Sequence, residues 1–212
     1  VVIQNNLKPV FIDVDPIYFE LDLAELEKKI TSRTRAIMPV HIAGLPCDMD
    51  PIMEVAKKHD LRVVMDSCET MFVKYNGKPI GSFGDISCFS TYVAHLLVTG
   101  VGGLAITNDP ELAVLMKSLF NHGRDNIYLH VDDDQGVSQR KLFEIVRKRF
   151  KFIHVGYSYR ATELEGALGL GELRRKDKMM AARQRNAKFL LNALRDLEET
   201  GKIQLPKTRP GS

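Results

Sequence analysis

The stretch Leu61-Arg62-Val63-Val64-Met65-Asp66 decides the fold class of this chain of 212 residues. Its apolar run, interrupted by Arg62, has the length and the valine content of a buried strand, and it ends on a carboxylate. A helical pattern over 51–59, with Asp48 or Asp50 as its N-cap, comes directly before it. Ligands of open α/β sheets bind outside the carboxyl ends of strands, so we expect a site at Asp66.

The segments on both sides repeat this alternation of strand and helix. A helix is predicted over 22–30, and a capping box at Thr162–Glu165 opens a long helical stretch toward Glu199, with a break expected at Gly171. Further strands are predicted over 10–14, 36–40, 86–89 and 104–107, with a turn over 77–81 and a polar loop over 125–139. The pattern predicts an α/β domain with a mostly parallel sheet and helices on both faces.

Composition narrows the class of protein. The formal net charge is +3, with 44% hydrophobic and 27% charged residues, which is typical of one globular core. Mixed charges favour neither a nucleic-acid nor a membrane partner, and the sequence has no apolar run of membrane-spanning length. Three widely spaced cysteines, Cys47, Cys68 and Cys88, suit reduced thiols, so we expect a cytoplasmic protein.

Both ends of the chain suggest a fragment. The sequence begins at Val1 without an initiator methionine, and it closes on Pro206–Ser212 just after a short apolar stretch. We therefore interpret residues 1–212 as one domain of a longer protein.

A second stretch carries the chemistry. It reads Phe89-Ser90-Thr91-Tyr92-Val93-Ala94-His95-Leu96-Leu97-Val98-Thr99-Gly100-Val101-Gly102-Gly103. It resembles the cofactor motif of the DegT/DnrJ/EryC1/StrS family of PLP-dependent sugar aminotransferases, which runs roughly Phe-Ser-Phe-x-x-x-Lys-x-x-Thr-x-Gly-Glu-Gly-Gly. His95 occupies the position of the lysine that holds PLP as a Schiff base, and Val101 replaces the usual glutamate.

The resemblance implies a fold, a cofactor and a reaction. The fold is the large domain of a type I aminotransferase, here without the family's N-terminal segment and C-terminal small domain. An imidazole cannot form a stable Schiff base but can move protons near neutral pH. His95 therefore points to the family's branch of 4-keto-6-deoxysugar 3-dehydratases. These enzymes hold PMP non-covalently, act on a nucleotide-linked sugar, use histidine as the base and regenerate PMP with glutamate.

The same resemblance assigns further site residues. Asp66 is expected to keep the pyridine nitrogen protonated, so that the ring acts as an electron sink, and Glu69 occupies the third position after it, as in the dehydratase branch. Ser90 has the spacing of a phosphate-binding serine. The alternatives are that Asp66 only caps a loop and that His95 is a satisfied core histidine.

The segment Gly156-Tyr157-Ser158-Tyr159-Arg160-Ala161-Thr162-Glu163 resembles the family's Gly-Tyr-Asn-Tyr-Arg-x-Thr-Glu. In the family this loop reaches the neighbouring subunit's site, which implies a homodimer. Ser158 would replace the asparagine near the cofactor phosphate, and Arg160 could pair with that phosphate bidentately. A surface arginine on a helix-entry loop is an equally open interpretation of Arg160.

Two rival functions and two kinds of metal site fit the sequence less well. An aminotransferase of the same family would need a cofactor lysine, and the first lysine after His95 is Lys117. A non-catalytic binding or scaffold homologue predicts loss of Asp66 and Ser90, which are present. Gly123-Arg124-Asp125 is not followed by the cysteines of an iron–sulfur relative. Asp132-Asp133-Asp134 lacks the spacing of a calcium loop, so we predict no metal.

Overall fold

The computed structural model describes residues 1–125, 135–148, 150–209 and 211. The acidic run Asp132-Asp133-Asp134 and most of the loop predicted over 125–139 lie outside the described residues.

Across the described ranges, one sheet of four strands organises the structure, together with a small hairpin. The strands are β1 (Ala36–Ile37), β2 (Arg62–Asp66), β3 (Lys74–Tyr75), β4 (Lys78–Pro79), β5 (Ile86–Ser90) and β6 (Gly103–Ile106). The sheet has the order β1-β2-β5-β6, and β3 pairs with β4. β1, β2 and β5 are parallel, whereas β6 is antiparallel to β5. The sheet is therefore mostly parallel, as the sequence predicts.

Six helices accompany these strands in the described part of the chain. They are α1 (Leu23–Leu26), α2 (Met49–Lys58), α3 (Pro110–Phe120), α4 (Gln139–Lys148), α5 (Glu163–Ala193) and α6 (Arg195–Glu199). The predicted capping box opens α5, because the Glu165 carboxylate accepts from the Thr162 amide at 2.7 Å and the Thr162 hydroxyl accepts from the Leu164 amide at 3.3 Å. None of the described helices is long and apolar enough to cross a membrane.

The core lies between the sheet and α2. Val63 and Met65 of β2 are 0% and 1% exposed, and they belong to one cluster with Ile52 and Ala56 of α2. Val64 and Asp66, which alternate with them, are half-buried on the other face of the strand. The strand thus has a fully packed face toward α2 and a more open face that carries Asp66.

The core makes a direct stability prediction. Ile52→Ala removes a fully buried side chain, and we expect the free energy of unfolding to fall by about 2–5 kcal/mol. Glu54→Ala on the exposed side of the same helix should change it by less than about 0.5 kcal/mol. Chemical denaturation of the two variants measures the difference, and equal effects would place the core elsewhere.

Two sequence predictions are wrong. Residues 10–14 form no strand, and Val14 makes an isolated bridge to Leu21. A carboxylate competes for an amide of this segment, since Asp13 accepts from the Val14 amide, and just after it Asp15 accepts from the Ile17 amide. Gly171 does not break α5, because one glycine costs a helix only about 1 kcal/mol and the helix continues to Ala193.

Candidate functional site

Asp66 and Ser90 lie on the same face of the sheet. Asp66 ends β2 and pairs with Cys88 of β5, so these two side chains point to one side. Ser90 lies two residues further along β5, and side chains alternate along a strand, so it shares that side. Two of the predicted site residues are therefore brought together at the carboxyl ends of adjacent parallel strands.

The Asp66 carboxylate is held in place but retains accepting capacity. Its Oδ1 accepts from the Cys68 amide at 3.1 Å. A carboxylate offers about four lone-pair positions, so a ring N–H donor can still be accommodated. Burial, with a hydrogen bond to Asp66, raises the pKa of the neighbouring Cys68 thiol to about 12. Cys68 therefore stays protonated and adds no second negative charge beside Asp66.

The Ser90 hydroxyl accepts one backbone bond and keeps its proton for donation. Its oxygen accepts from the Tyr92 amide at 3.2 Å. Because the amide occupies a lone pair of the oxygen, the hydroxyl proton can point to another acceptor. Such a donor suits a phosphate oxygen.

His95 lies in a loop that leaves the end of β5 and returns at β6. Its amide donates to the Tyr92 carbonyl at 3.0 Å, which closes a turn, and its side chain is half-buried. No hydrogen bond to the imidazole occurs within the described residues. The ring is therefore exposed enough to meet a ligand and is not a satisfied core histidine.

Glu69 has a role that the sequence did not predict. Its Oε2 accepts from the Ala43 amide at 2.5 Å, while Ala43 itself has a positive φ of 54°. The contact fixes the loop after β1. In that loop, Val40 forms a parallel bridge with Asp66. Within the described residues no hydrogen bond is made to the other carboxylate oxygen, so the structure leaves the predicted cofactor contact of Glu69 open.

Ser158 and Arg160 lie apart from this group. Both are exposed, and their segment is tied to the end of α3, where the His122 amide donates to the Tyr157 carbonyl at 2.7 Å. In the described part of the chain, no hydrogen bond or ion pair connects either residue to Asp66, Ser90 or His95. Within this one chain they do not join the site.

The sequence did not reveal how His41 sits behind the site. His41 is 0% exposed, and its Nδ1 accepts from the Cys47 amide at 3.0 Å, so the neutral ring carries its proton on Nε2. Among the described residues Nε2 has no hydrogen-bond partner. Burial lowers the pKa of His41 from 6.5 to about 4, although the nearby Asp66 opposes this. Its complete burial indicates a residue that supports the fold.

The lowered pKa of His41 predicts an acid-labile fold. The unfolded chain binds a proton below pH 6.5 while the folded chain does so only below about pH 4, so stability falls as the pH drops between these values. We expect the titration of His41 to lower the free energy of unfolding by about 3 kcal/mol over this pH range. The measurement is the unfolding free energy at pH 7 and pH 4.5, which should differ less in His41→Asn than in the parent. His154→Asn, at an exposed position, should keep the parent's pH dependence; an unchanged dependence in His41→Asn contradicts the assignment.

The donor set fits the predicted cofactor. A pyridine nitrogen needs an anion, which Asp66 supplies, and a phosphate needs neutral or cationic donors, one of which is Ser90. In the loop after β5, Gly100 and Gly102 have φ values of 87° and 127°, which L side chains rarely adopt. These residues offer the types of donor and acceptor that PLP or PMP would need.

Comparisons with known sequences agree with this arrangement. Residues 1–211 match the DegT/DnrJ/EryC1/StrS aminotransferase family. The chain is 42% identical over 177 residues to a GDP-perosamine synthase of Caulobacter vibrioides, covering 84% of this chain and 42% of that protein. It is 35% identical over 216 positions to a dTDP-4-dehydro-2,6-dideoxy-D-glucose 3-dehydratase of Saccharopolyspora spinosa, covering 99% of this chain and 46% of that protein.

Solved structures show the same fold. An aminotransferase from Psychrobacter cryohalolentis superposes with a TM-score of 0.84 at 31% identity, covering 97% of this chain and 50% of that one. A GDP-4-keto-6-deoxymannose-3-dehydratase with a trapped PLP–glutamate geminal diamine gives a TM-score of 0.79 at 29% identity, covering 91% and 49%. The α/β aminotransferase fold predicted from the sequence is confirmed, and the chain spans about half the length of these relatives.

Proposed function

The chain belongs to the DegT/DnrJ/EryC1/StrS aminotransferase family of PLP-dependent enzymes, and we propose that it removes the C3 hydroxyl from a nucleotide-linked 4-keto-6-deoxyhexose. The observation that carries this proposal is His95 in the position of the cofactor lysine. The sequence has no lysine between Lys78, in β4, and Lys117, in α3, that could replace it locally. An imidazole at this position favours proton transfer over covalent capture of the cofactor.

The residues have separate roles in this proposal. When bound in its amine form, the cofactor supplies the amine that condenses with the C4 ketone and the ring that accepts electrons. A nitrogen of the His95 imidazole takes a proton from the cofactor carbon that bears this amine. The imidazole can return a proton to the departing C3 hydroxyl. The Asp66 carboxylate holds the proton on the ring nitrogen, and the Ser90 hydroxyl donates to the phosphate.

Further residues and partners complete the proposal. Glu69 would keep its bond to the Ala43 amide and offer its second oxygen to the cofactor. Ser158 and Arg160 would bind the phosphate of a neighbouring subunit, which makes the active unit a homodimer working in the cytoplasm. Glutamate is the proposed amino donor, in line with the solved 3-dehydratase that holds a PLP–glutamate adduct.

Transamination is the second candidate. The relative that is 42% identical is named a perosamine synthase, whereas the named 3-dehydratase is 35% identical. The overall percentage of identity does not show which residues stand at the reacting positions, however, and position 95 is such a position. The two candidates differ in whether the sugar gains a nitrogen or loses an oxygen.

Covalent capture of the cofactor separates these candidates. We expect borohydride treatment of the full-length protein with PLP to leave every lysine unmodified, because His95 cannot form the reducible bond. Peptide mass spectrometry reads the result. His95→Lys is the matched positive control and should gain a reducible link to its cofactor and lose most dehydration. A pyridoxyl-modified lysine in the parent protein argues for the aminotransferase.

A further inference from the structure

Two threonine side chains close the base of the loop that carries His95. Thr99 Oγ1 lies 2.7 Å from the Val101 carbonyl oxygen and 2.7 Å from Thr91 Oγ1. The Thr99 hydroxyl is the donor in both contacts and has one proton, so it donates either to the Val101 carbonyl or to the Thr91 hydroxyl. These two contacts link the outgoing and returning ends of the loop. His95 lies midway in sequence between the two threonines.

The threonine pair is sheltered from water. Thr91 is 6% exposed and Thr99 is 9% exposed. Backbone bonds run alongside, from the Thr99 amide to the Thr91 carbonyl at 2.9 Å and from the Thr91 amide to the Gly102 carbonyl at 3.1 Å. Hydrogen bonds in such low-dielectric surroundings are stronger than at the surface, so the loop base is a rigid point.

Two glycines confine the pair from either side. A Cβ atom at Gly169 of α5 would lie 3.2 Å from Thr99 Cγ2, so the helix backbone rests directly on Thr99. A Cβ atom at Gly102 would lie 2.9 Å from Thr91 Oγ1. The close approach of both backbones leaves the threonine side chains little freedom to change rotamer.

Thr91 departs from the family motif. The family pattern reads Phe-Ser-Phe, whereas this chain reads Phe89-Ser90-Thr91. A phenylalanine at this position has no hydroxyl to accept from Thr99, so the bond between the two threonines arises from this chain's own sequence. The departure occurs together with the exchange of lysine for histidine in the same loop.

A base needs more orientation from its loop than a covalently bound lysine does. A lysine joined to its cofactor is fixed at both ends, but an imidazole is fixed only by the backbone that carries it. We propose that Thr91 and Thr99 are positioning residues that hold the His95 imidazole in the geometry needed for proton transfer. This inference rests on the proposed function of His95 and assigns no chemistry to the threonines themselves.

Substitutions at Thr91 in the full-length protein test this inference. Thr91→Val removes the hydroxyl at nearly constant volume, Thr91→Ser keeps it, and Thr107→Val removes a hydroxyl bonded to the Asp85 carbonyl at the other end of β6. The first readout is the rate at which diethyl pyrocarbonate modifies His95 in the cofactor-free protein, relative to the exposed His59. The second is kcat and KM for the sugar.

We expect Thr91→Val to raise the relative modification rate of His95 by about threefold or more and to lower kcat about tenfold, with KM within about twofold of the parent. Thr91→Ser and Thr107→Val should match the parent in both readouts. If Thr91→Val does not fold, Thr91→Ala removes the hydroxyl without the second methyl group and carries the same expectation.

Two outcomes overturn the inference. In the first, His95 is modified at the parental rate in the variant that lacks the hydroxyl. In the second, Thr91→Ser changes the modification rate and kcat as much as Thr91→Val does. An inactive parent protein sinks the proposed function instead. The modification rates still show in that case whether the threonine pair fixes His95, so the two failures can be told apart.

Discussion

His95→Asn should nearly abolish dehydration while leaving cofactor binding intact. An amide has no pKa suited to proton transfer, and a positioned general base contributes about 10²–10⁴-fold to a rate, so we expect kcat to fall by at least that range. Asparagine is close to histidine in size and keeps the turn, because the bond from residue 95 to the Tyr92 carbonyl is made by the backbone. The affinity for PMP, measured by fluorescence titration, should change little.

The control for this variant is His59→Asn. His59 is exposed and contacts Glu27 far along the chain from the loop after β5, so its loss should leave turnover at the parental rate. If His95→Asn removes the C3 hydroxyl as fast as the parent, His95 is a packing residue. The scaffold alternative then becomes the leading interpretation.

Asp66→Asn should lower the rate of dehydration by several orders of magnitude. The substitution keeps the size and the bond from the Cys68 amide to the side-chain oxygen, but it removes the negative charge that keeps the ring nitrogen protonated. Without that proton the ring is a weak electron sink, so the loss should fall on kcat. A shifted absorption spectrum of the bound cofactor should accompany it.

Asp85→Asn is the matched control for Asp66→Asn. Asp85 lies at the opposite end of the same strands, where its Oδ1 accepts from Arg62 at 2.7 Å and its Oδ2 from the Val63 amide at 2.8 Å. Its substitution should affect stability without a comparable loss of turnover. Near-normal turnover in Asp66→Asn would mean that the strand register, and with it the site, is wrong.

Local patterns predicted the parts of the fold that depend on neighbours in sequence. The strand that ends at Asp66, the helix before it and the capping box at Thr162 all follow from apolar period and side-chain chemistry within a few residues. In the strand expected over 10–14, Asp13 captured the Val14 amide, and just beyond it Asp15 accepts from the Ile17 amide. Apolar periodicity alone does not weigh such competition.

The site was predictable to the extent that its residues share one motif or one strand edge. Asp66, Ser90 and His95 were predicted this way, and the structure places the first two on one face. The bond from Glu69 to the Ala43 amide joins residues far apart in sequence, as does the packing of Gly169 on Thr99. Such contacts arise from tertiary packing, and no spacing rule along the chain contains them.

The mass of the sugar product is the most direct test of the proposed activity. The full-length protein is incubated with PLP, glutamate and a nucleotide-linked 4-keto-6-deoxyhexose, and the sugar is analysed by mass spectrometry. We expect a product that has lost one oxygen atom, gained no nitrogen and retained its ketone, with ammonia released. A product that carries an amino group at C4 and keeps its C3 hydroxyl would contradict the account and establish transamination.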